Sequence, residues 1–152
     1  MSLQALNRWA FDVGTARIGS ARSPRGSSVC VPAGTFQVER FGQHFDDIED
    51  ALVQMPPDVI YVGLPLHLNG SQGQSVAMAK KFAKELRQIV PGVKFRMVDE
   101  RLTTSTAHQR LAQAQVGGCS RKPIVDQAAA IVILESALDY ESQHDDLAGT
   151  AF

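Results

Sequence analysis

A chain of 152 residues, 44% hydrophobic and 20% charged, has the make-up of one globular domain with room for a proper core. Its 15 basic residues against 16 acidic give a net charge of -1, so bulk charge lends no support to nucleic-acid binding and only a local patch could carry it. No apolar run approaches the ~20 residues that span a bilayer, and Arg8 and Asp12 break any early signal-like stretch, so the cytoplasm is the expected location.

Residues 1–6 read as a frayed start, and Asn7 to Val13 as a first strand that ends on a carboxylate, Asp12. Gly14 and a short polar turn lead to a second strand, Ile18 to Arg22, so the pair reads as a hairpin with an acid at its lip. Residues 23–31, SPRGSSVCV, read as a loop, and Thr35 to Glu39 as a third, edge strand of an antiparallel meander. Phe45, Ile48, Leu52 and Met55 have helical spacing, and Pro56-Pro57 ends that helix. Asp58 to Val62 reads as a buried strand, 63–73 as a glycine-rich loop, and Ser75 to Val90 as a helix with Val76, Ala79, Phe82, Leu86 and Ile89 on one face. Val93 to Val98 is a further strand, closed by Asp99-Glu100-Arg101. A helix capped by Thr103 or Thr104 is expected to run to about Gln115, a loop to follow over 116–122, and Asp126 to open the last helix. The strand-helix-strand units in the second half require parallel pairing, so the expected architecture is α/β with a mixed five-stranded sheet, three antiparallel strands followed by parallel ones, flanked by helices. One domain over 1–152 is expected, with a core of about 7–140 and a loose acidic tail over 141–152.

The two cysteines, Cys30 and Cys119, are far apart and belong to no Cys-x-x-Cys pair, which argues against a disulfide framework or a structural zinc. Three acids occupy similar places: Asp12 ends the first strand, Glu100 follows the strand 93–98, and Asp126 begins the last helix. With strands one and four adjacent and the last helix across them, all three would meet at one sheet edge. Crowded carboxylates raise one another's pKa, and a cation offsets the repulsion. Hard oxygen ligands select Mg²⁺ or Mn²⁺. Two such ions a few ångströms apart would activate a water and stabilise the leaving oxygen of a phosphodiester. Plainer roles stand beside these: Asp12 as a turn acceptor, Asp126 as a helix cap, Glu100 as part of a solvated charge cluster.

FDVGTARIGSA (11–21), VGLPLHLNGSQG (62–73), VDERLTTSTA (98–107) and VDQAAAIVILESAL (125–138) resemble, in order, the four motifs of the YqgF family. These are bacterial RNase H-like proteins described as pre-16S rRNA nuclease candidates and as Holliday-junction-resolvase-like. The resemblance implies an RNase H-like fold, with Asp12, Glu100 and Asp126 as catalytic metal ligands and Mg²⁺ or Mn²⁺ as cofactor. It implies an endonuclease that matures the 5′ side of pre-16S rRNA, with structured RNA, presented within a ribosomal precursor particle, as its partner. Asp99 ranks below Glu100, since neighbouring side chains on an extended segment point oppositely. Asn69 departs from the family, where an acid is common.

The loop 63–73 precedes a helix N-terminus, which suits phosphate, so His67, Asn69 and Ser71 are candidate substrate contacts beside Arg17, Arg101, Arg121 and Lys122. Lys80, Lys81 and Lys84 read as a solvated helix face. Three rivals remain: a resolvase of branched DNA, which calls for a homodimer rather than a monomer; a non-catalytic RNA-binding assembly or transcription factor; and half of an actin-like ATPase, for which the chain is short.

Overall fold

The computed structural model describes residues 3–65, 73–100 and 122–152. A short 3₁₀ turn at Leu3–Ala5 leads into β1 (Arg8–Val13), β2 (Arg17–Ser23) and β3 (Val31–Gln37). Helix α1 (His44–Gln54), β4 (Val59–Leu64), α2 (Gln74–Ile89), β5 (Lys94–Asp99), α3 (Lys122–His144) and a two-residue β6 (Thr150–Ala151) follow. The strands form one sheet in the order β3-β2-β1-β4-β5-β6. β1 pairs antiparallel with β2 and parallel with β4, and β4 pairs parallel with β5. The mixed sheet is as expected, and β6, antiparallel on the β5 edge, makes it six-stranded rather than five. The expected helix over 103–115 lies outside the described residues.

The pleat divides the core in two. Successive strand residues point to opposite faces, so Trp9, Phe11, Ile60 and Val62 pack on one side with Ile48 and Leu52 of α1 and Phe82 and Leu86 of α2. Ala10, Ala21, Val59, Tyr61 and Val98 pack on the other with Ala130, Ile133, Leu134 and Ala137 of α3. The face beneath α3 is small over β1 and β2, at Ala10 and Ala21. That lets a broadly apolar helix lie close on the sheet.

Three expectations are corrected. The third strand spans Val31–Gln37, not Thr35–Glu39, so it begins where the expected loop ends, four residues early. Pro32 and Gly34 hid it, yet both are tolerated on an edge strand beside a register shift, which occurs here between Ser20 and Ala21. Asp126 does not open the last helix: α3 begins at Lys122, four residues earlier, and Pro123 suits a first turn where no N–H is needed. Residues 141–152 are not a loose tail. Glu141 is buried in α3 against Arg8, Leu147 and Ala148 are buried, and the Phe152 N–H donates to the Phe95 carbonyl.

The Arg8–Glu141 pair anchors the end of α3. Arg8 Nε donates to Glu141 Oε1 and Oε2 at 2.9 and 3.0 Å, and the Tyr61 hydroxyl donates to Oε2. Arg8 Nη2 donates to Glu141 Oε1 at 2.6 Å and to the Leu3 carbonyl, and Nη1 to the Leu6 carbonyl, so the buried charge is paired and every guanidinium nitrogen has an acceptor. Burial and the Glu141 carboxylate push the Tyr61 phenol well up, keeping it protonated. The same contacts tie residues 3–6, expected to fray, to the domain.

Candidate active site

Alternation along β1 decides where Asp12 points. Arg8 meets Glu141 of α3, Ala10 packs in the α3-side cluster, and Asp12 continues on that face at the strand's C-terminal end. In register, Asp12 pairs with Gly19 and Gly19 with Thr35. Gln127 Nε2 donates to Thr35 Oγ1 at 2.9 Å, so the N-terminal part of α3 spans the row of the sheet that contains Asp12. Glu141 at the other end of the helix spans the row of Arg8. α3 therefore runs antiparallel to β1, its start meeting β3 in the row of Asp12 and its far end meeting Arg8 of β1.

Glu100 follows β5 directly and reaches the same place. Its neutral carboxyl donates a hydrogen bond to the Asp12 carboxylate. Burial first, then the charge of Asp12, that hydrogen bond, and the charge of Asp99 push Glu100 from 4.5 up to about 7. The Glu100 carboxyl is thus held protonated to higher pH than an ordinary glutamate by its burial and by the neighbouring acids.

Placement of the remaining candidates is uneven. The backbone of Asp126 lies in α3, one residue before Gln127, and its side chain is outside what the structure describes, as is that of Lys122. Among the described residues no three acid, histidine or cysteine side chains form a metal-holding group. Arg17 begins β2 two residues before Gly19, which puts it at the Asp12 edge and, by alternation, on the α3 face. His67, Asn69, Ser71, Arg101 and Arg121 lie outside the described residues. α2 starts just after Gly73, at the edge where β4 ends, and Lys81 on its exposed side only approaches Glu85 at 4.0 Å. Cys30 offers no nucleophile: burial, then the Glu135 charge, push its thiol up to about 12.

The donor set suits a hard divalent cation. Asp12 and Glu100 present oxygens only, their mutual repulsion is relieved by positive charge, and Asp126 begins from a backbone position above the same row. A dication there must displace the Glu100 proton. Divalent-ion binding at this pair should therefore strengthen as pH rises toward and through about 7, and more Mg²⁺ should move the Glu100 midpoint down; ion titrations of the parent across this pH range check it. The stability of the metal-free protein has the opposite sign. Glu100 binds its proton more tightly folded than unfolded, so that contribution is complete below the unfolded pKa and is lost as pH rises through about 7. Melting curves from pH 4 to 8, with Glu100→Gln as reference, check it; an identical slope in both proteins contradicts it.

The RuvX family model, described as Holliday junction resolvase, matches residues 7–140. The chain belongs to the RuvX family. This is the YqgF family that the four motifs resemble. RuvX relatives include a protein of Bifidobacterium adolescentis named "Putative pre-16S rRNA nuclease", 38% identical over 146 residues, covering 85% of this chain and 94% of the relative. One of the same name from Thermobifida fusca is 38% identical over 141 residues, covering 88% and 87%. Among solved structures, Thermus thermophilus RuvC in complex with a Holliday junction substrate superposes with a TM-score of 0.61 at 14% identity, covering 95% of this chain and 98% of that one. That likeness establishes the RNase H-like fold of this RuvX member and nothing finer. Among the described residues no helix is long and apolar enough to cross a membrane.

Proposed function

We propose that this RuvX-family chain is a divalent-metal-dependent endonuclease that trims the 5′ side of pre-16S rRNA in the cytoplasm. The observation that carries the reading is the hydrogen-bonded Asp12–Glu100 carboxyl pair, set at the C-terminal ends of β1 and β5. Relatives 38% identical and named for pre-16S rRNA favour RNA over DNA. Asp12, Glu100 and Asp126 would hold Mg²⁺ or Mn²⁺, which when bound supplies charge for the attacking water and the leaving oxygen.

The protein's own part is placement. Asp12 lies near the C-terminal end of β1 and Glu100 directly follows β5, with β4 between the two strands, so the same end of the sheet presents both acids. Arg17, at the same edge, is positioned to take a phosphate flanking the scissile bond. His67, Asn69, Ser71, Arg101, Arg121 and Lys122 are proposed as further backbone contacts around it.

A second reading, resolution of branched DNA by a homodimer, is favoured by the description of the RuvX family model. The discriminating experiment offers precursor RNA and a four-way junction side by side with Mg²⁺ or Mn²⁺, using Glu100→Gln as control. Cutting of the RNA alone, abolished by Glu100→Gln and by chelator, is expected. Paired cuts in the junction by a stable dimer would replace the RNA reading. Tight RNA binding unaffected by chelator, without cleavage, would replace catalysis with a binding role.

A further inference from the structure

Gly63 is the second-to-last residue of β4, and the alternation that puts Val59 and Tyr61 under α3 puts position 63 there too. It pairs in register with Val98, two residues before Glu100. A Cβ built on Gly63 would lie 2.6 Å from Glu100 Oε1 and 2.5 Å from Ile133 Cδ1. Real Cβ atoms do not approach that closely. The Glu100 carboxyl therefore occupies the space that any other residue's side chain would fill. No positive φ occurs at Gly63, so the backbone does not demand glycine there. What demands it is the room.

We propose that Gly63 is a positioning residue for the Asp12–Glu100 pair: its missing side chain is the slot that lets Glu100 lie down over β4 and reach Asp12 at the end of β1. The inference rests on the reading of Glu100 as an active-site acid. Both atoms that a Cβ would strike are the far ends of side chains that can swing away. An added methyl is therefore relieved by moving the carboxyl, which spares the fold and spoils the geometry.

The test separates those two consequences. Ile133→Val removes the Cδ1 atom, so that in Gly63→Ala/Ile133→Val only Glu100 has to give way. Ile133→Val alone should cleave like the parent. The double variant should melt within a few degrees of Ile133→Val. Its kcat on precursor RNA should drop about a hundredfold with little change in KM, the cost of displacing a reacting group by about 1 Å. Its affinity for Mn²⁺, measured by calorimetry without RNA, should weaken roughly tenfold or more. Adding Glu100→Asp, which withdraws the carboxyl by one methylene, should cost little further, because both changes act on the same group.

Parental kcat and Mn²⁺ affinity in Gly63→Ala/Ile133→Val overturn the proposal. So does a collapse of its melting temperature, which would make Gly63 a packing residue beneath α3. So do losses that multiply with Glu100→Asp. If Glu100→Gln itself cleaves at the parental rate, the failure belongs to the reading of Glu100 and not to Gly63.

Discussion

Asp12→Asn is expected to fold as the parent does and to cleave precursor RNA at least roughly a thousandfold more slowly. Asparagine keeps the shape of aspartate and one of its acceptor oxygens, and gives up the charge. In the metal-free protein that loss relieves a repulsion, because the Asp12 charge is among the causes that hold Glu100 near 7. The variant should thus melt at or above the parental temperature without added metal. The parent should be stabilised by Mg²⁺, since a ligand bound only by the folded state raises stability by mass action. The variant should lose most of that gain. A purely structural role for Asp12 as a turn acceptor predicts the reverse: lowered melting and parental cleavage per folded molecule.

Glu141→Ala is expected to produce the largest stability loss. Arg8 and Glu141 are each 4% exposed in their side chains, and truncating the acid leaves a buried guanidinium and the Tyr61 hydroxyl without their acceptor. Breaking such a pair costs about 3–5 kcal/mol, which in a domain of this size lowers melting by about 10 °C or more. Arg8→Met/Glu141→Leu, which removes both charges and keeps the volume, should recover most of the loss. Arg8 and Asp12 are about 13 Å apart along β1, so cleavage by the folded fraction should be unchanged. A single variant that melts within about 2 °C of the parent would show that the pair does not anchor the helix.

These two residues mark what a reader of the sequence could and could not see. Asp12 was legible because it interrupts an apolar run at a strand end, where an acid needs an explanation. Glu141 was not, because nothing near it distinguishes it from the solvated Glu and Asp around it. Its partner is 133 residues away, and only the folded sheet brings Arg8 beneath it. The same holds for β6, whose two residues are too few to show a pattern; the sheet edge at β5 supplies its pairing. β3 was misplaced by four residues at its start because Pro32 and Gly34 look like loop, and an edge position excuses both.

The motifs singled out Asp12, Glu100 and Asp126, and the structure brings the first two together, while nothing in the sequence singled out Gly63. Its glycine sits in a loop-like run where turn formation explains it well enough. Only the folded structure gives it a different reason, since a Cβ added there would lie 2.6 Å from Glu100 Oε1. The start of α3 shows the converse error. Asp126 followed by an apolar run looks like a cap, but the helix already runs from Lys122. An acid in the second turn has little capping left to do, and that strengthens the case for a ligand.

The central claim is that Asp12, Glu100 and Asp126 close around one divalent centre. Diffraction from a Mn²⁺-soaked crystal, with the ion located by its anomalous signal, tests it most directly. The account predicts an anomalous peak about 2.1 Å from an oxygen of each of the three carboxylates, absent from Asp12→Asn. A peak elsewhere, or an Asp126 carboxylate directed away from an ion held by the other two, would contradict it.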